Sequence, residues 1–260
     1  MQTARTLAPG ETRVHVGSSI PIASRYFSEI IDSLDLIAAR LESAESAGEP
    51  ISEEEQRQAV EGAAAVLLLQ PSFVPELGLR VGIVEHFDVG LRYSGPAFRF
   101  DAKVEVAEDP EQGRLAIIAG YNHHTGIGAS IATSAFDLFD SLNLASFSRR
   151  DLELALIANT PDDRGPVSYY GGVRYILAMP RIDSALAEGI EAESGMPLIE
   201  LDTNMHHLGA TAGVRLRWRS ISLMAEMTAM YMTFSPTILG EVRDLGGVLI
   251  SPGLGLAVEI

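Results

Sequence analysis

The stretch FRFDAKVEV, residues 98–106, alternates between uncharged and charged side chains along its whole length. The charged positions are Arg99, Asp101, Lys103 and Glu105. Successive side chains of a β-strand point to opposite faces, so this pattern predicts a strand with one apolar face and one charged face. The fold of the chain depends on which of the two faces looks outward.

Similar two-faced segments recur along the chain, and we count about ten of them. Most approach the roughly 9–11 residues that a tilted strand needs to cross a bilayer, and bacterial single-chain barrels have an even number of strands. The predicted strands are 11–22, 76–84, 88–94, 97–107, 114–124, 151–159, 166–178, 206–218, 220–234 and 247–260.

The connections between these strands alternate between short and long. The short ones are 85–87, 108–113, 160–165 and the turn at Arg219, and the long ones are 23–75, 125–150, 179–205 and 235–246, with 94–97 a brief exception. In an antiparallel barrel this order predicts that the short turns and both termini lie at one end. Short turns on one side and long loops on the other are typical of outer-membrane barrels.

The charged face of the predicted strands also carries glycines, such as Gly78, Gly90 and Gly213, whereas the opposite face carries mainly Leu, Val and Tyr. Small residues mixed with long ions suit a narrow lumen. We therefore predict an all-β fold, a single antiparallel transmembrane β-barrel with its charges inside. The alternative, a soluble barrel of the lipocalin type, would invert both faces. The prediction treats residues 1–260 as one domain, with helical loop insertions at about 24–72, 125–150 and 179–205.

The amino-acid composition limits the kinds of partner and site that the protein can have. The formal net charge of −16 repels phosphate backbones, so no nucleic-acid partner is expected. The chain has no Cys, which excludes disulfides and thiolate metal sites. The start, MQTARTLAPGE, has no apolar signal core, so the protein is either cytosolic or a secretion signal has been removed from it.

Several stretches together carry a resemblance to known proteins. They are QTARTLAPGE (2–11), ELGLRVGIVEHFDVGLRYSG (76–95), FRFDAKVEV, SRRDLELAL (148–156) and YGGVRYIL (170–177). In these the chain is similar to uncharacterised barrel proteins, often described as lipoproteins, of predatory and related proteobacteria. The closing strand, GVLISPGLGLAVEI, resembles the C-terminal strand of bacterial outer-membrane proteins, although it ends on Ile260 where an aromatic residue is usual. The resemblance implies a bacterial outer-membrane location and recognition by the outer-membrane assembly machinery.

The charges of the predicted inner face form the main candidate site. They are Arg80, Arg92, Arg99, Asp101, Lys103, Glu105, Glu153, Arg174, Arg215, Arg217 and Glu226. Opposite charges on neighbouring strands can pair, so one interpretation is a salt-bridged filling that stabilises a narrow barrel. The other is a constriction that selects ions or solutes, because rings of charge tune permeation.

The long loops and the histidines are the remaining candidate functional features. Residues 27–41, the segment from Ser52 to Leu69, and 134–142 have helical periodicity, and these helices would cover the barrel mouth or offer an apolar surface to a ligand or protein partner. Divalent cations could bridge their carboxylates to lipopolysaccharide. By parity His124 and His207 point inward, and with Asp202 or Glu200 they make a weak metal candidate; the alternative is a set of polar rim residues.

These patterns predict a non-enzymatic outer-membrane barrel, a narrow channel or transporter for small or amphiphilic molecules that needs no cofactor. The alternative is a structural or surface-binding barrel whose helical loops engage a partner. A hydrolase at the rim would require histidines and Asp202 to converge within hydrogen-bonding reach. The expected partners are outer-membrane lipid, lipopolysaccharide and the assembly machinery.

Overall fold

A computed structural model describes residues 2–20, 22–23, 74–94, 97–124, 148–161, 165–181, 199–200, 204–235, 237–238, 241–242, 244 and 246–260. The described residues form β-strands joined by turns. The strands are β1 Thr12–Ser19, β2 Ile22–Ala23, β3 Val74–Val84, β4 Phe87–Tyr93, β5 Ala97–Asp109, β6 Gly113–His124, β7 Ser148–Asn159, β8 Val167–Arg181, β9 Ile199–Glu200, β10 Met205–Trp218, β11 Ile221–Thr233, β12 Thr237–Ile238, β13 Glu241–Val242 and β14 Gly247–Glu259. No described residue belongs to a helix long and apolar enough to cross a membrane.

Ten of these strands close into an antiparallel barrel in the order β1-β3-β4-β5-β6-β7-β8-β10-β11-β14. The closure is the pairing of β1 with β14, which runs from Arg13 opposite Glu259 to Ser19 opposite Gly253. The short strand β2 continues along β14, and β9, β12 and β13 form a separate small sheet. The predicted all-β barrel of about ten strands is confirmed.

The short turns lie together at one end of the barrel, which we call the short-turn end. His86 and Arg219 adopt positive φ angles of 61° and 58° there. Two-residue hairpin turns need positive φ because their backbone twist must match that of the flanking strands. The tight turns therefore hold His86 and Arg219 at positive φ. The opposite end, where the long connections leave the strands, is the long-loop end.

The charged face of FRFDAKVEV is the inner face. Arg99, Asp101 and Lys103 are buried, whereas Phe98 and Phe100 are exposed on the outside of the barrel. The same holds on neighbouring strands, where Leu79, Leu91 and Leu154 lie outside. A soluble barrel would have its apolar residues in the interior, so the orientation is that of a barrel whose outer surface meets lipid.

Several strands extend further than the sequence predicted, and β7 and β8 thereby shorten the predicted loops 125–150 and 179–205. Residues 148–150 belong to β7 and residues 179–181 to β8, because Arg149 pairs with Pro180 and Arg150 with Met179 in the ladder. The charges of SRRD concealed the alternation, since Arg149 faces inward and Arg150 outward. The predicted connection 235–246 also contains β12 and β13. The helices predicted at 27–41, from Ser52 to Leu69 and at 134–142 lie outside the described residues.

A segment that precedes β1 lies inside the barrel. Residues 2–7, which we call the N-terminal segment, are all buried, and Ala8, Pro9 and Gly10 are exposed. A turn joins the segment to β1: Glu11 N donates to Ala8 O at 2.9 Å, and Gly10 has a φ of 81°. Gly10 N also donates to Gly82 O at 2.9 Å, which fixes the turn to β3 at the short-turn end.

Candidate functional site

The eleven charged residues of the predicted network all lie on the inner face of the barrel. Seven are buried, among them Lys103 at 0% and Arg215 at 1% relative exposure. The side chains of Arg92, Arg174 and Arg217 are 12%, 21% and 22% exposed. The backbone determines this placement, because side chains two residues apart on a strand share a face.

One ion-pair network crosses the middle of the lumen from β3 to β8. Arg80 donates to Asp88 and Asp101, and Arg99 Nε donates to Asp101 Oδ2 at 3.2 Å. Arg99 also pairs with Glu153, which forms a second ion pair with Arg174 at 3.4 Å. Buried charges are stable only when their partners stay in place, so the network holds five strands in register around a narrow interior.

Glycines make room for this network. A Cβ at Gly90 would lie 2.7 Å from Arg80 Nη2, and a Cβ at Gly120 would lie 3.3 Å from Arg99 Nη2. A larger residue at either position would displace a guanidinium from its carboxylate partners. Gly90 and Gly120 therefore provide space for Arg80 and Arg99.

A second ion-pair cluster lies at the short-turn end. Glu259 accepts from Arg13 Nη2 at 2.5 Å and forms ion pairs with Arg217 at 3.2 Å and Arg5 at 3.4 Å. Arg114 pairs with Glu105 there at 2.8 Å. Because Arg13 lies on β1 and Glu259 on β14, this cluster also joins the two strands that close the barrel.

The N-terminal segment is held mainly through its backbone. Ala4 N donates to Asn159 Oδ1 at 2.6 Å, Thr6 N to Glu105 Oε2 at 3.2 Å and Leu7 N to Asp88 Oδ2 at 3.0 Å. From the other side, Lys103 Nζ donates to two carbonyl oxygens of the segment, those of residues 3 and 5, at 3.2 and 2.5 Å. The barrel wall thus supplies the hydrogen bonds that an extended peptide needs.

The order of these contacts gives the direction of the segment. Gln2 meets Asp101, the carbonyls of residues 3 and 5 meet Lys103, and Thr6 meets Glu105. The segment therefore runs beside the inner face of β5 in the same direction as that strand. Its Gln2 end points towards the long-loop end.

Two side chains of the N-terminal segment, Ala4 and Arg5, have contrasting surroundings, one apolar and one acidic. Ala4, 0% exposed, packs in a cluster with Ala116, Ile118, Ala155 and Ile157. These residues form an apolar patch of the lumen that the charge pattern of the sequence did not predict. Arg5 lies in an acidic place, 3.4 Å from both Glu11 and Glu259.

The long-loop half of the lumen has two unlike walls. Met205, Met232 and Leu249 are buried on the β10, β11 and β14 side. On the β7 side Asp151 pairs with Arg149 at 2.7 Å and with His124 at 3.0 Å. This half of the interior combines an apolar wall with a charged one.

The predicted metal site at His124 and His207 stays a prediction. His124 is bonded to Asp151, and His207 is buried at 4% exposure with no hydrogen-bond partner on either ring nitrogen. His206 lies outside the barrel, 2.7 Å from the Tyr175 hydroxyl, and Asp202 lies outside the described residues.

Within the part of the chain that the structure describes, one group of three metal-ligating side chains comes within 4.8 Å: His86, Glu105 and Glu108. It could hold a cation in principle. However, Arg114 pairs with both Glu105 and Glu108. The guanidinium already neutralises these two carboxylates, so the group carries no metal proposal.

Sequence reasoning missed several luminal residues that parity alone would have found. Asp88 and Glu76 share the inner face with Arg80 and Arg92 and pair with them. Asp151, Tyr170 and Glu259 share faces with Glu153, Arg174 and Ala257. The N-terminal segment gave no such signal, because QTARTL shows no alternation and its partners are far away in sequence.

The outer surface of this closed barrel is apolar along all ten strands, from Val16 on β1 to Leu256 on β14. A closed barrel satisfies every backbone hydrogen bond and can therefore pass through hydrocarbon. The protein is an outer-membrane β-barrel of the bacterial type.

No protein-family profile and no curated protein matches the sequence. Among solved structures, Neisserial surface protein A is 11% identical over 96% of this chain and 95% of that chain, with a TM-score of 0.32. OprG from Pseudomonas aeruginosa is 9% identical over 97% of each chain, with a TM-score of 0.33. The translocator domain of the autotransporter NalP from Neisseria meningitidis is 8% identical over 98% and 90%, with a TM-score of 0.40. TM-scores this low give no information about function. The predicted similarity to lipoprotein-type barrels stays a prediction.

Proposed function

We propose that the protein is a narrow, non-enzymatic channel or transporter for small or amphiphilic molecules. The observation that supports this function is the polar network through the middle of the lumen, from Arg80 to Arg174, inside an apolar belt. Charged side chains that line a path through a membrane set which solutes can enter it. The apolar and charged walls near the long-loop end favour solutes with both characters.

We propose no catalytic role. The luminal carboxylates Asp88, Asp101 and Glu153 are each paired with arginine, which leaves them poorly suited to accept protons. The hydrolase alternative has no support either, since His206 lies on the outer surface beside Tyr175.

A second candidate, a structural or surface-binding barrel, is favoured by the extent to which ion pairs and the N-terminal segment fill the lumen. In that case the long connections would bind a partner, and lipopolysaccharide and the assembly machinery would be the other contacts of the protein. All three contacts are proposals, as the second candidate function is.

Planar-bilayer recordings of the purified protein test the channel function. Wild type is compared with Arg99→Ala and Arg215→Ala, which each remove a cation and widen the lumen. We expect a larger unit conductance and a reversal potential shifted towards cation selectivity in a salt gradient. Leu154→Ala, on the outer surface, is the matched control and should behave as wild type. If all four proteins are silent, and the protein stays silent when residues 2–7 are displaced from the lumen, the channel function is wrong and the second candidate is preferred.

A further inference from the structure

The contacts of the N-terminal segment differ from those of an ordinary buried strand. Three backbone N–H groups and two carbonyls of residues 2–7 are bonded to side chains of the barrel wall. No such bond depends on the identity of the side chain that the segment carries there. The wall therefore recognises an extended peptide. Side-chain selectivity comes from the small space around Ala4 and the acidic surroundings of Arg5, and from the bonds of Gln2 to Asp101 and of the Thr6 hydroxyl to Glu105.

The charged residues of the barrel wall that contact the segment also form ion pairs with other residues of the barrel. Lys103 is 3.2 Å from Asp88, Glu105 is 2.8 Å from Arg114, and Glu259 is 2.5 Å from Arg13. Leaving one buried charge without a counter-ion is strongly destabilising, but here removal of the peptide leaves each ion still paired. The barrel can lose this occupant without an isolated charge.

Burial of apolar surface opposes the release of the segment only weakly. Among residues 2–7 the apolar side chains are Ala4 and Leu7, so only a small apolar area returns to water. Its connection to β1 is an exposed turn at residues 8–10, in which a Cβ added at Gly10 would meet nothing within 4 Å. The turn offers a hinge at the short-turn end.

We propose that the short-turn half of the lumen is a binding site for an extended peptide, and that residues 2–7 of this chain are its displaceable occupant and plug the passage. This inference rests on the proposed function, since a plug presupposes a passage. With the segment in place the lumen is closed beside β5, and with the segment withdrawn the charged wall of Lys103, Glu105 and Asp88 faces water and solutes.

The test uses the full chain with the double substitution Thr6→Pro and Leu7→Pro. Proline has no N–H, so both bonds to Glu105 and Asp88 are lost while the barrel wall is unchanged. The control is Leu154→Ala, which changes a side chain on the outer surface and none of the contacts of the segment. We expect at least about a tenfold rise in channel open probability for the double variant and little change for the control. The double variant loses three hydrogen bonds to charged groups, because the Thr6 hydroxyl also donates to Glu105.

A second measurement follows the segment directly. The chain has no Cys, so Ala4→Cys is a single buried reporter and Ala8→Cys an exposed one. We expect a thiol reagent to label Ala4→Cys slowly in an otherwise wild-type chain and about tenfold or more faster beside the two prolines, because the released segment becomes accessible. Ala8→Cys should react quickly in both.

A synthetic peptide of residues 1–9 completes the test. Added in excess to the double proline variant, it should close the channels again, and the same peptide with Ala4→Trp should not, because the place around Ala4 is too small. If labelling does not rise in the double variant, the segment is not displaceable and the inference is wrong. If labelling rises but conductance stays that of wild type, the segment is not the plug, while the channel function stands. If labelling rises and every variant, including Arg99→Ala, is silent, both proposals are wrong.

Discussion

Lys103 shows at the scale of one residue how a charge can be fully buried in this lumen. Its ammonium group is 3.2 Å from Asp88 Oδ2 and donates to two carbonyl oxygens of the N-terminal segment. All three donors of a lysine are therefore used, and the desolvation cost of the charge is offset. Sequence parity predicted that Lys103 faces inward, but not that its partners would include residues about a hundred positions earlier in the chain.

Substituting Lys103 should therefore be costly. Lys103→Met leaves the carbonyls of residues 3 and 5 without their donor and removes one cation beside Asp88. Asp88 keeps Arg80, so the main loss is that of the two buried carbonyls. At about 1–3 kcal/mol for each, we expect the free energy of unfolding to fall by about 2–6 kcal/mol. Equilibrium unfolding in urea with phospholipid vesicles measures it.

Arg217→Met is the control for this loss. Its side chain is 22% exposed, and its partner Glu259 keeps Arg13, so the expected change is within about 1 kcal/mol. Equal losses for the two variants would show that the lysine has no special role in holding the segment.

At the scale of the strand, β7 shows why the pattern was readable. Leu152, Leu154 and Leu156 lie outside, and Asp151, Glu153 and Ala155 lie inside. The period of two is strict because the outer face meets hydrocarbon, which does not tolerate ions, whereas the inner face meets the charges and the apolar patch of the lumen. The strand ends were harder to predict, since Arg149 and Arg150 are both charged and only their pairing with β8 separates them.

The outer face of β7 gives a prediction that depends on depth in the membrane. Leu154→Arg places a charge near the middle of the strand, and we expect a loss of about 2–4 kcal/mol in folding into vesicles. Ala158→Arg, on the same face near the short-turn end, should cost about 0–1 kcal/mol. Urea titrations of both variants in vesicles measure the difference, and equal costs would contradict a membrane-embedded β7.

At the scale of the whole molecule, the ten strands and the sorting of the connections followed from alternation and spacing. The occupant of the lumen did not, because its contacts join residues up to 254 positions apart, as between Arg5 and Glu259. A local pattern carries no information about such a contact. The predicted loop helices lie outside the described residues and stay predictions.

The belt around the barrel predicts how the whole protein behaves in water. With so many Leu, Val and Tyr side chains on its outer face, the purified protein should stay monodisperse only in detergent or lipid. Diluting it from detergent into buffer, with and without vesicles, and measuring light scattering checks this. A monodisperse, folded protein in plain buffer would contradict the membrane assignment.

The cluster at Glu259 has a consequence for the order of assembly. Arg5 and Arg13 are synthesised long before β14, yet both pair with Glu259, the last residue of that strand. Until β14 joins β1, the residues that will enter the interior have an open sheet beside them, and Arg5 lacks its bond to Glu259. Sealing of the cylinder and docking of its inner peptide are thus expected to be one late event, and a chain that stalls before its last strand would expose both.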